Sequence, residues 1–350
     1  MQKGEINMDR IKQNLLELIA LPGPSGYEDQ VADYITTQME VLNYQVERDG
    51  MGNITAAKKG GSDLPLLLVT AHMDEVGLVV TKIVNGFICF NYVGTINMRI
   101  AYGLPFKILT ESGPVPAVAC SPSVHLDQDF AEVWLDAGPR TALVQPGDPI
   151  VFDTEPRWLD DDETVIAGKS MDDRVGCAIL LELARILDDK KLSMNLVLGF
   201  TVQEEISARG AEYLGRRFQP DYAIVLDTGL ADDLVAGVAQ GQPPLGTGPL
   251  IRTFEALNQD RGGFVNFADR AMVKALKAAS DSVGAKYHVE ASLNLYTDAS
   301  GIRKSSPHTR SVYVGVPRRY SHSPYEVLDI TAVSRTVDVL AAYFRENWFA

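Results

Sequence analysis

Apolar residues along this chain come in two rhythms. The runs Leu64–Thr70, Leu196–Val202, Tyr222–Leu226 and Val312–Val316 are short and lack clean polar alternation. Runs of this kind predict strands buried on both faces. Elsewhere the spacing is helical. Ile11, Leu15, Leu18 and Ile19 predict a helix over about residues 8–20, and Ile179, Leu180, Leu183, Ala184 and Leu187 predict another. Further helices are predicted over about Glu28–Asn43, Ala211–Arg217, Phe267–Ser282 and Ile330–Glu346, with a strand over Lys286–Ala291. The fold class expected from this pattern is α/β.

The rhythm changes between residues 78 and 166, where the chain alternates in β fashion and turn residues are frequent. Thr81–Val84 and Phe87–Tyr92 flank Asn85-Gly86, a two-residue hairpin signal. Phe106–Leu109, Val115–Cys120 and Pro149–Phe152 predict further short strands. The expected organisation is a β-rich domain over 78–166, inserted into a catalytic α/β domain formed by 1–77 and 167–350. Residues 230–264 are rich in Gly and Pro and read as irregular.

Composition narrows the partners. With 350 residues, 46% hydrophobic and 22% charged, the chain is long enough for a sizeable core. A net charge of -14 argues against nucleic acid or an anionic membrane and is compatible with cations. Cys89, Cys120 and Cys177 form no CxxC pair and no disulfide framework, which suits a reducing cytosol. The amphipathic start is unlike a signal peptide, and no apolar run approaches a membrane span. A cytoplasmic location is expected.

The candidate chemistry collects where the buried strands end, as it does in open α/β sheets. His72, the pair Glu204-Glu205, Asp227 and the loop bearing His322 follow such strands, and Asp172 begins the helix after the β-rich insert. Each has an ordinary alternative: a hydrogen-bonded histidine, an acidic turn, a turn aspartate, or a helix cap for Asp172. Together they mix imidazoles with carboxylates, a donor set suited to Zn²⁺, Co²⁺ or Mn²⁺. Five ligands with one bridging carboxylate would hold two metals about 3.5–4 Å apart. His72, Asp172, Glu205, Asp227 and His322 permit one histidine and one terminal carboxylate per metal, with one aspartate shared. Asp74, two residues beyond His72, can accept its second ring N–H. Glu204 is left as the general base, taking a proton from water and returning it to the leaving amine. His125, His288 and His308 lack this context and read as structural.

The segments Ala71-His-Met-Asp-Glu-Val-Gly77, Gly168-Lys-Ser-Met-Asp-Asp-Arg-Val-Gly176, Val202-Gln-Glu-Glu-Ile-Ser-Ala-Arg-Gly-Ala211, Val225-Leu-Asp227, Thr297-Asp-Ala299 and Pro317-Arg-Arg-Tyr-Ser-His-Ser-Pro324 carry a resemblance. The chain resembles the cytosolic metallo-aminopeptidases that assemble as hollow tetrahedral dodecamers. That family also contains glutamyl aminopeptidases and proteins once labelled endoglucanases. The resemblance implies a mixed, largely parallel sheet flanked by helices, with a small β-barrel-like insert. It implies removal of N-terminal residues from short peptides and two divalent metals per subunit. His72, Glu205, Asp227 and His322 would bind the metals, Asp172 would bridge them, Glu204 would be the base and Asp74 would support His72. It also implies homo-oligomers and a cis peptide between Asp172 and Asp173. The chain departs from the family pattern at 228–262, at Asn294-Leu-Tyr296 and at 305–310, away from the expected metal ligands.

Three other readings compete. A deacylase or dipeptidase could use the same two metals. A glycosidase needs two carboxyls about 5–9.5 Å apart and no metal, which leaves His72, His322 and Asp227 without purpose. A non-catalytic scaffold has no use for Glu204. A pocket for acidic side chains would need a cation, and Arg252, Arg261 and Arg303 are the candidates.

Overall fold

The four buried runs lie side by side in the computed structural model. The structure describes residues 6–345, apart from 43, 59, 62, 98–99, 101, 121–132, 189, 191, 232, 234–242 and 259–262. The chain starts with α1 (Met8–Ala20), α2 (Asp29–Val41), β1 (Gln45–Arg48), β2 (Ile54–Lys58) and β3 (Leu66–His72). Next come β4 (Gly77–Val84), β5 (Phe87–Val93), β6 (Pro105–Thr110), β7 (Gly113–Cys120), β8 (Trp134–Asp136) and β9 (Pro149–Phe152). Then follow β10 (Arg157–Trp158), β11 (Val165–Gly168), α3 (Met171–Leu187), β12 (Asn195–Thr201), α4 (Arg209–Phe218) and β13 (Tyr222–Leu230). The remainder is β14 (Leu250–Leu257), β15 (Phe264–Phe267), α5 (Arg270–Ser282), β16 (His288–Leu293), α6 (Asp298–Ser305), β17 (Arg310–Arg319), β18 (Glu326–Asp329) and α7 (Ile330–Arg345).

Strands β12, β3, β13 and β17 are mutually parallel and form the middle of a mixed sheet. Antiparallel strands extend it on both sides, with β2 and β1 beyond β12, and β18, β11 and β10 beyond β17. The reason for the unbroken apolar runs lies in the two faces. Leu67, Val69 and Ala71 pack into the cluster shared with α1, α3 and α7, while Leu68 joins Val197, Ala223 and Val225 beneath α4 and α6. Alternate side chains leave opposite faces of a strand, so a sheet covered on both sides needs apolar residues at every position.

The strands β4-β5-β8-β7-β6-β9 close into a separate barrel. Its own apolar cluster includes Leu78, Ile88, Phe106 and Phe152, with the last two ring centroids 5.0 Å apart. On β7 burial alternates, with Val115, Ala117 and Ala119 inward. The Asn85-Gly86 hairpin is formed, and both residues have positive φ (52° and 86°), as a primed two-residue turn requires.

The structure also departs from the pattern expected above. The region 230–264 contains β14, which pairs with both β16 and β17. Its Gly and Pro neighbours hide a strand that long-range pairing stabilises. Phe267 belongs to β15 rather than to the following helix, which starts at Arg270 because the Asp269 carboxylate accepts the N–H groups of Ala271 and Met272. Helix α6 and strand β18 were not anticipated. Strand β13 continues through Leu230, so Asp227 lies inside a strand rather than at its end. The Asp172–Asp173 peptide is cis. Among the described residues no helix is long and apolar enough to cross a membrane.

Candidate metal centre

Pairing register brings the expected site residues together. Thr201 at the end of β12 sits beside His72 at the end of β3, so the loop carrying Glu204 and Glu205 leaves the sheet next to the histidine. Asp227, on β13, follows one strand over. Asp172 arrives on the first turn of α3, and His322 on the loop after β17. His72, Asp172, Glu204, Glu205, Asp227 and His322 are all at most half-exposed and clustered, and five of them line one cavity of about 460 Å³.

The two histidines are oriented alike. His72 Nδ1 lies 3.1 Å from the Asp74 carbonyl, and His322 Nδ1 lies 2.8 Å from the Thr95 carbonyl. A carbonyl only accepts, so each Nδ1 carries a proton, and in the neutral imidazole each Nε2 is then the atom free to ligate a metal. The two Nε2 atoms converge on one carboxylate. His72 Nε2 is 3.0 Å from Asp172 Oδ1, and His322 Nε2 is 3.4 Å from Asp172 Oδ2 and 3.4 Å from Glu205 Oε1. Asp227 Oδ1 stands 3.9 Å from His72 Nε2.

These donors fit divalent cations. A neutral Nε2 facing a carboxylate oxygen needs a cation between them, a place that either a proton on the imidazole or a divalent metal ion can take. Glu205 Oε1 is buried with no hydrogen-bond donor. The sets His72–Glu204–Glu205 and Asp172–Glu205–His322 each place their donor atoms within 4.8 Å of one another. A third set includes Asp173, but its two oxygens already accept the backbone N–H groups of Gly176 and His72. Asp173 therefore serves the backbone.

Burial dominates the electrostatics. It drives the Glu204 and Asp227 carboxyls well above the usual range, reinforced by neighbouring carboxylates. Burial likewise raises Glu205 to about 7. Burial works against charge on the imidazoles, yet the Asp172 and Asp74 carboxylates hold His72 above its ordinary value. Glu205 and Asp172 lift His322 to about 9 in the same way. Burial also opposes ionisation of Asp172, but the Arg318 guanidinium and both histidines hold it well below the carboxylate range.

Asp74 is fully buried and does more than face a histidine. Its carboxylate lies 3.4 Å from His72 Nδ1, but accepts the N–H groups of Glu204 (2.9 Å) and Glu205 (3.1 Å) and the Ser25 hydroxyl (2.6 Å). It thus ties the histidine strand to the glutamate turn. Three neighbours escaped the sequence reading. Arg318 is buried and pairs with Asp172, while Glu326 accepts the backbone N–H groups of Asp172 and His322. The Tyr296 hydroxyl donates to the Glu204 carbonyl (3.0 Å) and accepts from Ser207 N–H (2.9 Å). Arg318 sits inside a quoted motif, yet only burial distinguishes it from Arg319. A contact through a backbone carbonyl, as at Thr95, leaves no sequence signal.

The expected cations for an acidic pocket divide. Arg252 lines the cavity but pairs with Glu290 (2.8 Å) and Glu255 (3.4 Å). Arg303 instead donates to the Pro307 and Thr309 carbonyls and closes its own loop. Arg261 lies outside the described residues, as does His125. His308 bonds Ser306 and Gln219, away from the metal centre.

Hydrolysis assisted by divalent metals is among the chemistries such a buried donor set can serve, and the chain is a peptide hydrolase of the metal-using class. It belongs to the M42 glutamyl aminopeptidase family, whose model matches residues 52–339. The glutamyl aminopeptidase of Lactococcus lactis subsp. cremoris is 30% identical over 339 residues, covering 89% of this chain and 90% of that one. The lysyl aminopeptidase of Pyrococcus furiosus is 26% identical over 350 residues, covering 94% and 95%. Among solved structures, the Pyrococcus horikoshii TET1 peptidase, which can assemble into a tetrahedron or a large octahedral shell, superposes with a TM-score of 0.82. It is 26% identical, with 95% of this chain and 99% of that one covered.

Proposed function

We propose that this chain removes N-terminal residues from short peptides using two divalent metal ions held by His72, Asp172, Glu205, Asp227 and His322. The observation that carries this reading is the pair of imidazole Nε2 atoms facing opposite oxygens of Asp172, at 3.0 and 3.4 Å. A carboxylate approached from both sides in this way suits a bridge between two sites, one toward His72 and Asp227, the other toward His322 and Glu205. When bound, the metals supply Lewis acidity to the water and the scissile carbonyl. Glu204 takes the proton of the attacking water and delivers it to the leaving amine. Asp74 and Tyr296 hold the backbone of Glu204, and Arg318 holds Asp172.

Removal of metal tests the reading. Dialysis against a chelator is expected to abolish hydrolysis of aminoacyl p-nitroanilides, and Zn²⁺, Co²⁺ or Mn²⁺ to restore it as metal content approaches two per chain. Activity that survives at negligible metal content would sink the proposal. The assembly of the P. horikoshii peptidase supports a homo-oligomer, with a dodecamer built from dimers as the form proposed here. Light scattering is expected to return about twelve chain masses, and a monomer at micromolar concentration would exclude it.

A further inference from the structure

We infer that the cavity beside the metal centre accepts a neutral aliphatic side chain on the first residue of the peptide. The inference rests on the aminopeptidase reading above and names its substrate class. The cavity is lined by the carboxylates Asp172, Glu204, Glu205 and Asp227 and also by Leu230, Leu257, Leu293 and Leu295. Leu230, Leu257 and Leu293 are the last residues of β13, β14 and β16. Leu230 and Leu293 remain 40% and 62% exposed, so large apolar side chains stand open at the cavity instead of packing into a core. In an N-terminal residue the amine and the side chain share one carbon. With the amine drawn to the carboxylates, the side chain has the leucines of the same cavity to pack against.

Among the described residues, the leucine wall offers no uncompensated charge to pair with. Arg252 is only 4% exposed, lies 3.8 Å over the Tyr313 ring, and has Glu290 and Glu255 as partners. Arg318 is engaged by Asp172 and Glu326. Among the described residues lining the cavity, neither guanidinium is left uncompensated for an acidic side chain. A basic side chain would meet carboxylates only within the metal centre itself. Tyr296 adds apolar surface: its hydroxyl is occupied by the Glu204 turn, and its ring stacks on Phe264 with centroids 4.6 Å apart. An ionised side chain placed here loses its hydration without a partner. The lining thus differs from what the names of the glutamyl and lysyl relatives imply for their own sites. Leu295 and Tyr296 belong to the segment 294–296, where the sequence leaves the family pattern.

The test uses the full-length, metal-loaded protein and leucyl, alanyl, glutamyl and lysyl p-nitroanilides. The leucyl substrate is expected to exceed the alanyl one in kcat/KM by about tenfold or more, the usual worth of filling an apolar pocket. It is expected to exceed the glutamyl and lysyl substrates by about a hundredfold, on the same scale of pocket discrimination. Leu293→Arg, at an exposed position, is expected to raise the glutamyl-to-leucyl ratio by about tenfold through a new charge at the wall. Preference of the wild type for the glutamyl or lysyl substrate would overturn the inference while leaving the aminopeptidase reading intact. An unchanged ratio in Leu293→Arg would also overturn it, because the leucine wall would not then touch the first side chain. Hydrolysis of none of the four by metal-loaded protein would remove both readings.

Discussion

Glu204→Gln is expected to keep its metals and to lose about 10²–10⁴-fold in kcat, the usual contribution of a positioned general base. Glu204 lines the cavity next to the donors, and its backbone is fixed twice, by Asp74 at the N–H and by Tyr296 at the carbonyl. The amide of glutamine keeps the shape of the side chain but cannot act as a base near neutral pH. Substrate affinity is therefore expected to change little, so the loss appears in kcat rather than KM. Metal content, measured by atomic emission, separates this outcome from a damaged centre. Normal turnover in the variant would transfer the role of base elsewhere, and loss of metal would make Glu204 a ligand.

Asp172→Ala should have the broader effect. Its two oxygens face both Nε2 atoms, so removing the carboxylate takes a donor from each of the two proposed sites. It also deprives Arg318 of its partner, although Glu326 remains 3.2 Å from that guanidinium. Metal content is expected to fall below one ion per chain and kcat/KM to fall by at least about 10³-fold, since the metals account for several kcal/mol of charge stabilisation. An unfolded variant would mimic this result. Ser25→Ala provides the comparison: it removes one of the three hydrogen bonds to the Asp74 carboxylate without touching a donor, and should retain both metals. Full metal occupancy in Asp172→Ala would show that the aspartate does not bridge.

Residues of this site differ in how far the sequence alone marks them. The runs at Leu66–His72 and Asn195–Thr201 are visible in the sequence because a sheet covered on both faces leaves no position for polar residues. His72, Glu204 and Glu205 follow such runs directly and were therefore nameable as candidates. Asp227 was nameable too, but for an incomplete reason, since its strand continues to Leu230. Strand β14 was not visible: its stability comes from partners at residues 288–293 and 313–315, and local composition argues against it. The end of β15 was likewise lost, because Phe267 continues the apolar spacing of the helix that Asp269 actually starts.

Periodicity, the ends of the apolar runs and the spaced motifs determined by themselves an α/β core, a β-rich insert and a set of metal-capable side chains. All of these are local properties, dictated by which residues can be buried and in what rhythm. Only the tertiary structure decided how those side chains meet. Parallel register sets Thr201 beside His72, and the Asp74 and Thr95 carbonyls orient the two imidazoles. Arg318 and Glu326 secure Asp172, and three strand ends bring leucines to the cavity. Such contacts join residues as much as 227 positions apart, from His322 to Thr95. No periodic signal links them, because backbone carbonyls and buried ion pairs are chosen by proximity in the folded chain and not by neighbours in sequence.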